Sequence, residues 1–400
     1  MDKIDKIFGA YVIGDLFKDK SVVQANYIPG VILHRAEQVE NIASILAPAL
    51  RGEKVSNLFL YGRTGSGKTL SVQHVGDRLL EKVKQLGGDN LKFIYINCKL
   101  KKVADTEYRI IAELIKSLGG KISATGLPTD VVYSKFIEMI DDKKQIIILV
   151  LDEIDQAVKK INDNFIYTLT RMNSELKNAQ ISLIGISNSL TFMDNLDPRV
   201  RSSLGEEEIV FPPYNALQLQ DILKERADRA FKEGILEDGV IAKCAAYAAR
   251  EHGDARRALD LLRVAGELAE REGLKKIELK HIDTANQKIE KDKMLTTIEN
   301  IPIQFQLVLY AIMRLDASRS EHVFTGDVFN AYQSVCEETK NEILTQRRVS
   351  DIIAEFDMLG IINANVVSKG RQGRTREIRL MLTPSVKEKA KEILKDNFEL

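Results

Sequence analysis

The sequence predicts a parallel α/β domain, then a small all-helical domain, then a C-terminal winged helix. Three observations carry this expectation. Between Val55 and Phe211 short apolar runs alternate with helical patterns, the signature of a parallel sheet flanked by helices. Pro212-Pro213 then ends the alternation, since paired prolines extend neither a strand nor a helix, and a purely helical pattern runs from Asn215 to about Glu290. Three further helical runs followed by two strand-like runs close the chain, which is the order of a winged helix.

Each element has a local cause. The candidate strands are Asn57–Tyr61, Lys92–Asn97, Ile146–Leu151, Ile181–Ile186 and Glu208–Phe211; nearly unbroken Ile/Val/Leu content fits strands covered on both faces. A helix is expected near Arg35–Leu50, after the turn-like Tyr27-Ile28-Pro29-Gly30. In the second domain Leu219, Ile222, Leu223 and Ala227 recur at helical spacing, as do Ala258, Leu261, Leu262 and Ala265. The last part shows helical runs at about Pro302–Leu315, Asp327–Glu338 and Gln346–Leu359, then strands at Ile361–Val367 and Arg376–Leu382 joined by a two-glycine connector. Four hundred residues exceed one compact core, and the domain limits are expected at 1–214, 215–292 and 293–400, with the charged stretch Lys288–Lys293 as a linker or a solvated helix face.

Composition excludes some classes. No apolar run is long enough to span a bilayer and the first residues lack a signal-peptide core. The cysteines Cys98, Cys244 and Cys336 are too scattered for a metal site and read as reduced packing residues, so a cytoplasmic, membrane-free protein is expected. Lys+Arg and Asp+Glu both total 58, so any basic surface must come from local clustering.

The chemistry is written most clearly in Gly62-Arg63-Thr64-Gly65-Ser66-Gly67-Lys68-Thr69-Leu70, a P-loop placed between a strand and a helix. Glycines let the backbone aim N–H groups at phosphate oxygens, at the positive end of the following helix. Lys68 brings a cation to the β- and γ-phosphates and Thr69 a hydroxyl to Mg²⁺. The run Ile146–Leu151 then delivers Asp152 and Glu153 to the carboxyl end of a strand, where ligands bind in such sheets. Asp152 is expected in the Mg²⁺ shell and Glu153 beside the attacking water. ATP or ADP with Mg²⁺ is the expected cofactor, turned over by a slow ATPase.

A strand between these two motifs, and Glu directly after Asp, resemble the AAA+ and RecA-like branch of P-loop proteins. Within that resemblance Asn188 matches the polar sensor of the γ-phosphate, and Leu196–Leu204 the arginine-finger region, with Arg201 favoured and Arg199 second. Gly253-Asp254-Ala255-Arg256-Arg257-Ala258-Leu259 matches the second sensor, with Arg256 reaching from the lid. The P-loop, Asp152-Glu153-Ile154-Asp155, Ser187-Asn188, Pro212-Pro213-Tyr214 and Gly253–Leu259, followed by a winged helix, together resemble the archaeal origin-recognition and cell-division-control type initiators. That resemblance implies that Tyr214 and Arg226 line the nucleotide site at the core–lid boundary and that the Tyr27–Arg35 segment, with both end residues counted in the site, lies near the base. It also implies an initiator-specific helical insertion at about 103–140, whose joint, including Thr125 and Leu127, touches DNA.

Charge concentrates in the terminal hairpin. Lys369, Arg371, Arg374, Arg376 and Arg379 stand against the single anion Glu377, with Gln372 among them; glycine-spaced arginines can enter a minor groove or clamp phosphates. Before them Thr345 is a candidate N-cap, and Arg347 and Arg348 fall in the first turn of the helix that would meet bases or phosphates. The expected function is an ATP-switched initiator that binds duplex origin DNA, assembles with other initiator subunits there and helps load the replicative helicase, which the resemblance makes of MCM type. The competing readings are a DNA-binding transcription regulator, and a loader ATPase without origin specificity.

Overall fold

The computed structural model describes residues 16–25, 27–99, 106–123, 126–318, 323–368 and 374–398. The chain divides into two compact units, Met1–Ile282 and Asp283–Leu400.

The first unit is organised by five parallel strands, β1 (Asn57–Tyr61), β2 (Leu91–Asn97), β3 (Gln145–Asp152), β4 (Ala179–Ser187) and β5 (Glu206–Val210), in the spatial order β2-β3-β4-β1-β5. All five expected strands are present, each within about two residues of its expected ends. Residues Ile146 to Leu151 are buried throughout, because successive side chains enter different cores. Ile147, Leu149 and Leu151 join Phe59 and Tyr61 on one face, and Ile146, Ile148 and Val150 join Leu58 and Leu60 on the other. Each such side chain contributes about 1.5–3 kcal/mol on burial. Pairing Tyr61 with Ser187 and Asp152 with Ile186 brings the carboxyl ends of β1, β3 and β4 to one edge of the sheet.

The helix expected near Arg35–Leu50 runs from Ala36 to Leu46 and tightens into a 3₁₀ turn over Ala47–Arg51, where Pro48 removes an N–H. The helices Glu107–Ser117 and Thr129–Ile140 pack Ile110, Ile111, Leu114, Ile115, Val132 and Phe136 into the core on the β3 Leu149 side. At the end of the second of them the Asp141 carboxylate accepts N–H bonds from Lys177, Asn178 and Ala179, which fixes the start of β4. These bonds hold its carboxyl below the ordinary carboxylate range. Stability from this contact is therefore present above the unfolded carboxylate value of about 3.9 and is lost as pH falls through the lower folded value. Asp141→Asn is expected to lower the melting temperature at neutral pH. The gap from wild type should close in strong acid, which a series of melts from pH 7 to pH 2 checks.

The helical part of this unit comprises Ala216–Ala230, Val240–Arg250 and Ala255–Arg271. The first opens on a capping box between Asn215 and Gln218. Residues 16–24 lie against these helices: Phe17 packs on Phe231 with ring centroids 4.6 Å apart, and Lys18 N–H donates to Ala230 O at 2.7 Å. The sequence pattern gave no sign of that contact.

The second unit is a winged helix. Helices Ile303–Ser318, Thr325–Glu338 and Gln346–Met358 enclose Phe305, Tyr332 and Phe356, with Phe305 and Phe356 edge to face at 5.8 Å. The hairpin β7 (Ile362–Ser368) and β8 (Arg374–Leu380) is extended by a two-residue strand, β6 (Val323–Phe324), in the order β6-β8-β7. Two elements were not foreseen, β6 and the helix Pro384–Phe398, which buries Val386, Ala390, Leu394 and Phe398. Of the two readings of Lys288–Lys293 the helix one holds: the stretch lies inside the 22-residue helix Leu279–Asn300, and it contains neither glycine nor proline to break one. Among the described residues no helix is long and apolar enough to cross a membrane.

Candidate nucleotide site and nucleic-acid face

The P-loop follows β1 and curls through glycines in conformations that side chains resist. Gly62, Gly65 and Gly67 have φ of +154°, +71° and +95°. Gly67 caps the helix Lys68–Gln85 without a side-chain partner, so the N–H groups of that first turn face the loop. Lys68 is almost fully buried, and its Nζ donates to Gly62 O at 2.7 Å, Arg63 O at 3.0 Å and Asn188 Oδ1 at 3.0 Å. Burial pulls its ammonium down to about 8; Asp152 opposes the shift and Arg256 adds to it.

Asp152 ends β3 beside this lysine. Its Oδ2 accepts from Thr69 Oγ1 and from Tyr95 Oη, both at 2.7 Å, and its Oδ1 accepts from Glu153 N–H at 2.9 Å. Glu153 itself sits in the left-handed region, φ +54°, at the head of the helix Ile154–Ile161, with Lys99 Nζ 3.6 Å from its carboxylate. Asp155, buried behind, accepts from Ser187 Oγ at 3.2 Å and so braces the end of β4 that carries Asn188.

These groups open on one cleft of about 440 Å³, within the range of small-ligand sites. Thr64, Gly65, Ser66, Gly67, Lys68, Thr69, Leu70, Asp152, Glu153 and Asn188 line it from the sheet side, and Tyr214, Arg226 and Arg256 from the helical side. Tyr27, Ile28, Val31 and Leu33 form an apolar wall, and Tyr27 stacks under the Arg226 guanidinium at 4.4 Å. Arg35 is not among the residues that line this cleft. It lies behind the loop, donating to Ser66 O at 2.9 Å and Pro212 O at 2.5 Å while stacking on Tyr214 at 3.8 Å. It therefore ties the P-loop to the crossover between sheet and helices. Arg199 and Arg201 lie outside the cleft, exposed on the short helix Pro198–Leu204, near Asp197 and Asp194 respectively.

The arrangement suits a magnesium polyphosphate. The loop offers a concave run of glycines, Ser66 Oγ is buried with no partner among the described residues, and Thr69 with Asp152 supplies the hard oxygen pair such a cation takes. Nothing in the donor set suits a soft metal.

On the winged helix Thr345 caps Gln346–Met358 as expected, accepting from Arg348 N–H at 3.4 Å. Arg347 is exposed on the first turn. Arg348 is also exposed, with Asp351 at 4.0 Å, Glu355 at 3.8 Å and the Phe305 ring nearby. Arg376 donates to Ser350 O and Arg379 pairs with Glu377. Lys369, Arg371, Gln372 and Thr125 lie outside the described residues, as does the side chain of Arg374. Leu127 is exposed at the joint of the insertion.

Comparison with known proteins finds three family models in this chain. Residues 53–193 match an AAA domain model, 220–287 the Cdc6 AAA+ ATPase-type lid domain, and 296–390 the CDC6 C-terminal winged helix domain. The ORC1-type DNA replication protein of Thermococcus onnurineus is 53% identical over 386 residues, covering 95% of this chain and 92% of that one. The chain belongs to the ORC1-type DNA replication proteins. A Methanosarcina mazei member is 46% identical over 400 residues, covering 99% and 95%. The Aeropyrum pernix ORC1 protein, solved in complex with DNA, superposes with a TM-score of 0.84 at 43% identity, covering 96% and 98%. The core of this ORC1-type chain is thus an AAA+ ATPase domain, and such a domain binds nucleotide. Sequence reading missed Tyr95 in this ORC1-type site; its only signal was a polar-tipped aromatic two residues before the end of the strand next to β3.

Proposed function

We propose that this chain is a replication initiator that binds duplex origin DNA under ATP control and helps recruit or load an MCM-type helicase. The observation that carries the reading is the composite cleft, in which the sheet presents Lys68 and Asp152 and the lid presents Arg256, in a chain that ends in a winged helix. The DNA complex of the Aeropyrum pernix relative supports the DNA-binding part. A cytoplasmic, nucleoid-associated location follows from such a role.

In this reading Thr69 and Asp152 hold Mg²⁺, which when bound neutralises developing phosphate charge. Lys68 binds the β- and γ-phosphate oxygens, Glu153 orients and deprotonates the attacking water, and Asn188 positions it while keeping Lys68 aimed. Tyr27, stacked on Arg226, meets the base together with the apolar wall of Ile28, Val31 and Leu33, and Arg35 holds the loop from behind. Arg201, or Arg199, lies outside its own cleft and is assigned to a neighbouring copy's site, which makes turnover by a lone copy slow. The domain limits 1–214, 215–292 and 293–400 divide the labour into core, lid and DNA reader. Tyr95 orients Asp152: Tyr95→Phe is expected to raise the Mg²⁺ concentration needed for half-maximal turnover about tenfold while ADP affinity is retained, as magnesium titrations of the ATPase rate will check.

DNA contacts are assigned to Arg347 and Arg348, to the wing residues Lys369, Arg371, Gln372 and Arg374, and to Thr125 and Leu127 of the insertion. The test is footprinting on candidate origin duplexes against non-specific competitor. An Arg371→Ala, Arg374→Ala double variant should lose protection and flatten the slope of log affinity against log salt by about 1.8, two phosphates at roughly 0.9 each. Normal binding by that variant would remove the wing from the interface. Protection confined to promoters would favour a transcription regulator instead.

A further inference from the structure

The lid helix Ala255–Arg271 meets the phosphate loop at Gly65. Ala255 N–H donates to Gly65 O at 3.3 Å. Asp254 caps the helix, its Oδ1 accepting from Arg256 N–H at 2.8 Å and from Arg257 N–H at 3.3 Å. The same oxygen lies against the loop, and a Cβ built on Gly65 would fall 1.8 Å from it. Gly65 occupies one of the positions that the P-loop pattern leaves open, so phosphate binding alone does not call for glycine there. A backbone at φ +71° with a carboxylate packed against it does.

The contact is fixed from its other side too. Gly253, φ +69°, packs so closely on the crossover that an added Cβ would lie 2.3 Å from Tyr214 O, and Tyr214 N–H donates to Gly253 O at 3.3 Å. Tyr214 in turn sets its hydroxyl 2.9 Å from where a Cβ of Gly67 would stand. Gly65, Ala255 and Arg256 line the cleft, whereas Asp254 does not. The carboxylate therefore works behind the site, through the residues it holds.

We propose that Asp254 is a positioning residue that latches the first turn of the lid helix onto Gly65, so that Arg256 is held where it distinguishes ATP from ADP. The proposal rests on the reading of Arg256 as a phosphate-sensing side chain. Asn caps helices about as well as Asp, so the latch depends on the capping oxygen rather than on the charge.

Titration calorimetry of the full chain with ADP and with a non-hydrolysable ATP analogue tests it. Arg256→Ala should reduce the preference for the ATP analogue. Asp254→Ala should reduce it by about fivefold or more, and the double variant should be no worse than the stronger single one, since the two act as a unit. Asp254→Asn should keep the preference within about twofold, and Gly65→Ala should lose it. Hydrogen exchange should quicken at Ala255–Leu259 in Asp254→Ala ahead of the rest of that helix. If Arg256→Ala lowers the preference while Asp254→Ala leaves it intact, the latch is wrong and the sensor reading stands. Additive losses in the double variant would likewise overturn the latch. If Arg256→Ala changes nothing, both fall. Should Asp254→Ala fail to fold, Asp254→Asn and Gly65→Ala decide: retention in the first with loss in the second supports the latch, and any other pairing overturns it.

Discussion

Lys68→Ala is expected to remove measurable nucleotide binding. The ammonium is buried at the closed end of the cleft and held by two loop carbonyls and Asn188. Two charge-assisted bonds to phosphate oxygens at about 1.5–3 kcal/mol each amount to some hundred- to ten-thousandfold in affinity. Alanine leaves no charge to bury, and the ammonium is held below its ordinary value where it stands, so the unliganded fold should melt as wild type does. Lys68→Arg should not rescue, because a planar fork cannot replace a compact ammonium between Gly62 O and Arg63 O. Calorimetry with ATP and ADP, beside thermal melts with and without nucleotide, checks both parts. Affinity within about threefold of wild type would show that Lys68 contributes less than one such bond.

Glu153→Gln should separate binding from turnover. Its side chain is four-fifths buried at the head of the Ile154–Ile161 helix, and the amide keeps its shape while losing its basicity. Loss of a general base costs about 10²–10⁴-fold in rate. Single-turnover hydrolysis should fall by at least about a hundredfold, with nucleotide affinity changed by less than threefold, since no phosphate contact is removed. A rate near wild type would take the base role from Glu153. A matched loss of affinity would mean that the Asp152–Glu153 turn holds the loop rather than the water. Lys99, 3.6 Å away, supplies a control: Lys99→Ala should leave affinity intact while freeing the carboxylate.

Much of this was legible in the chain because it is local. β3 reads as a strand since all of Ile146–Leu151 is buried, alternately in two cores. The P-loop reads as one because its glycines, lysine and threonine are contiguous. What escaped depends on partners far away in sequence. Arg35 sits behind the loop through bonds to Ser66 and Pro212, and nothing within its own helix signals that. Tyr95 finds Asp152 only through the parallel pairing of β2 with β3. Phe17 reaches Phe231 across more than two hundred residues. The helix Pro384–Phe398 was hidden for another reason, as its buried stripe includes the small Ala390 among exposed lysines. Lys288–Lys293 left linker and helix face both open, because a long helix carries charge on its surface as readily as a linker does.

Control of DNA by the nucleotide cleft is the central claim, and one measurement addresses it directly. Equilibrium binding of Glu153→Gln with ATP, and of wild type with ADP, is compared on an origin duplex and on a scrambled duplex of equal length at fixed salt. Origin DNA should be bound at least about a thousandfold more tightly than scrambled DNA, and the margin should change between the ATP and ADP forms. Equal affinity for the two duplexes, or a margin indifferent to the nucleotide, would contradict it.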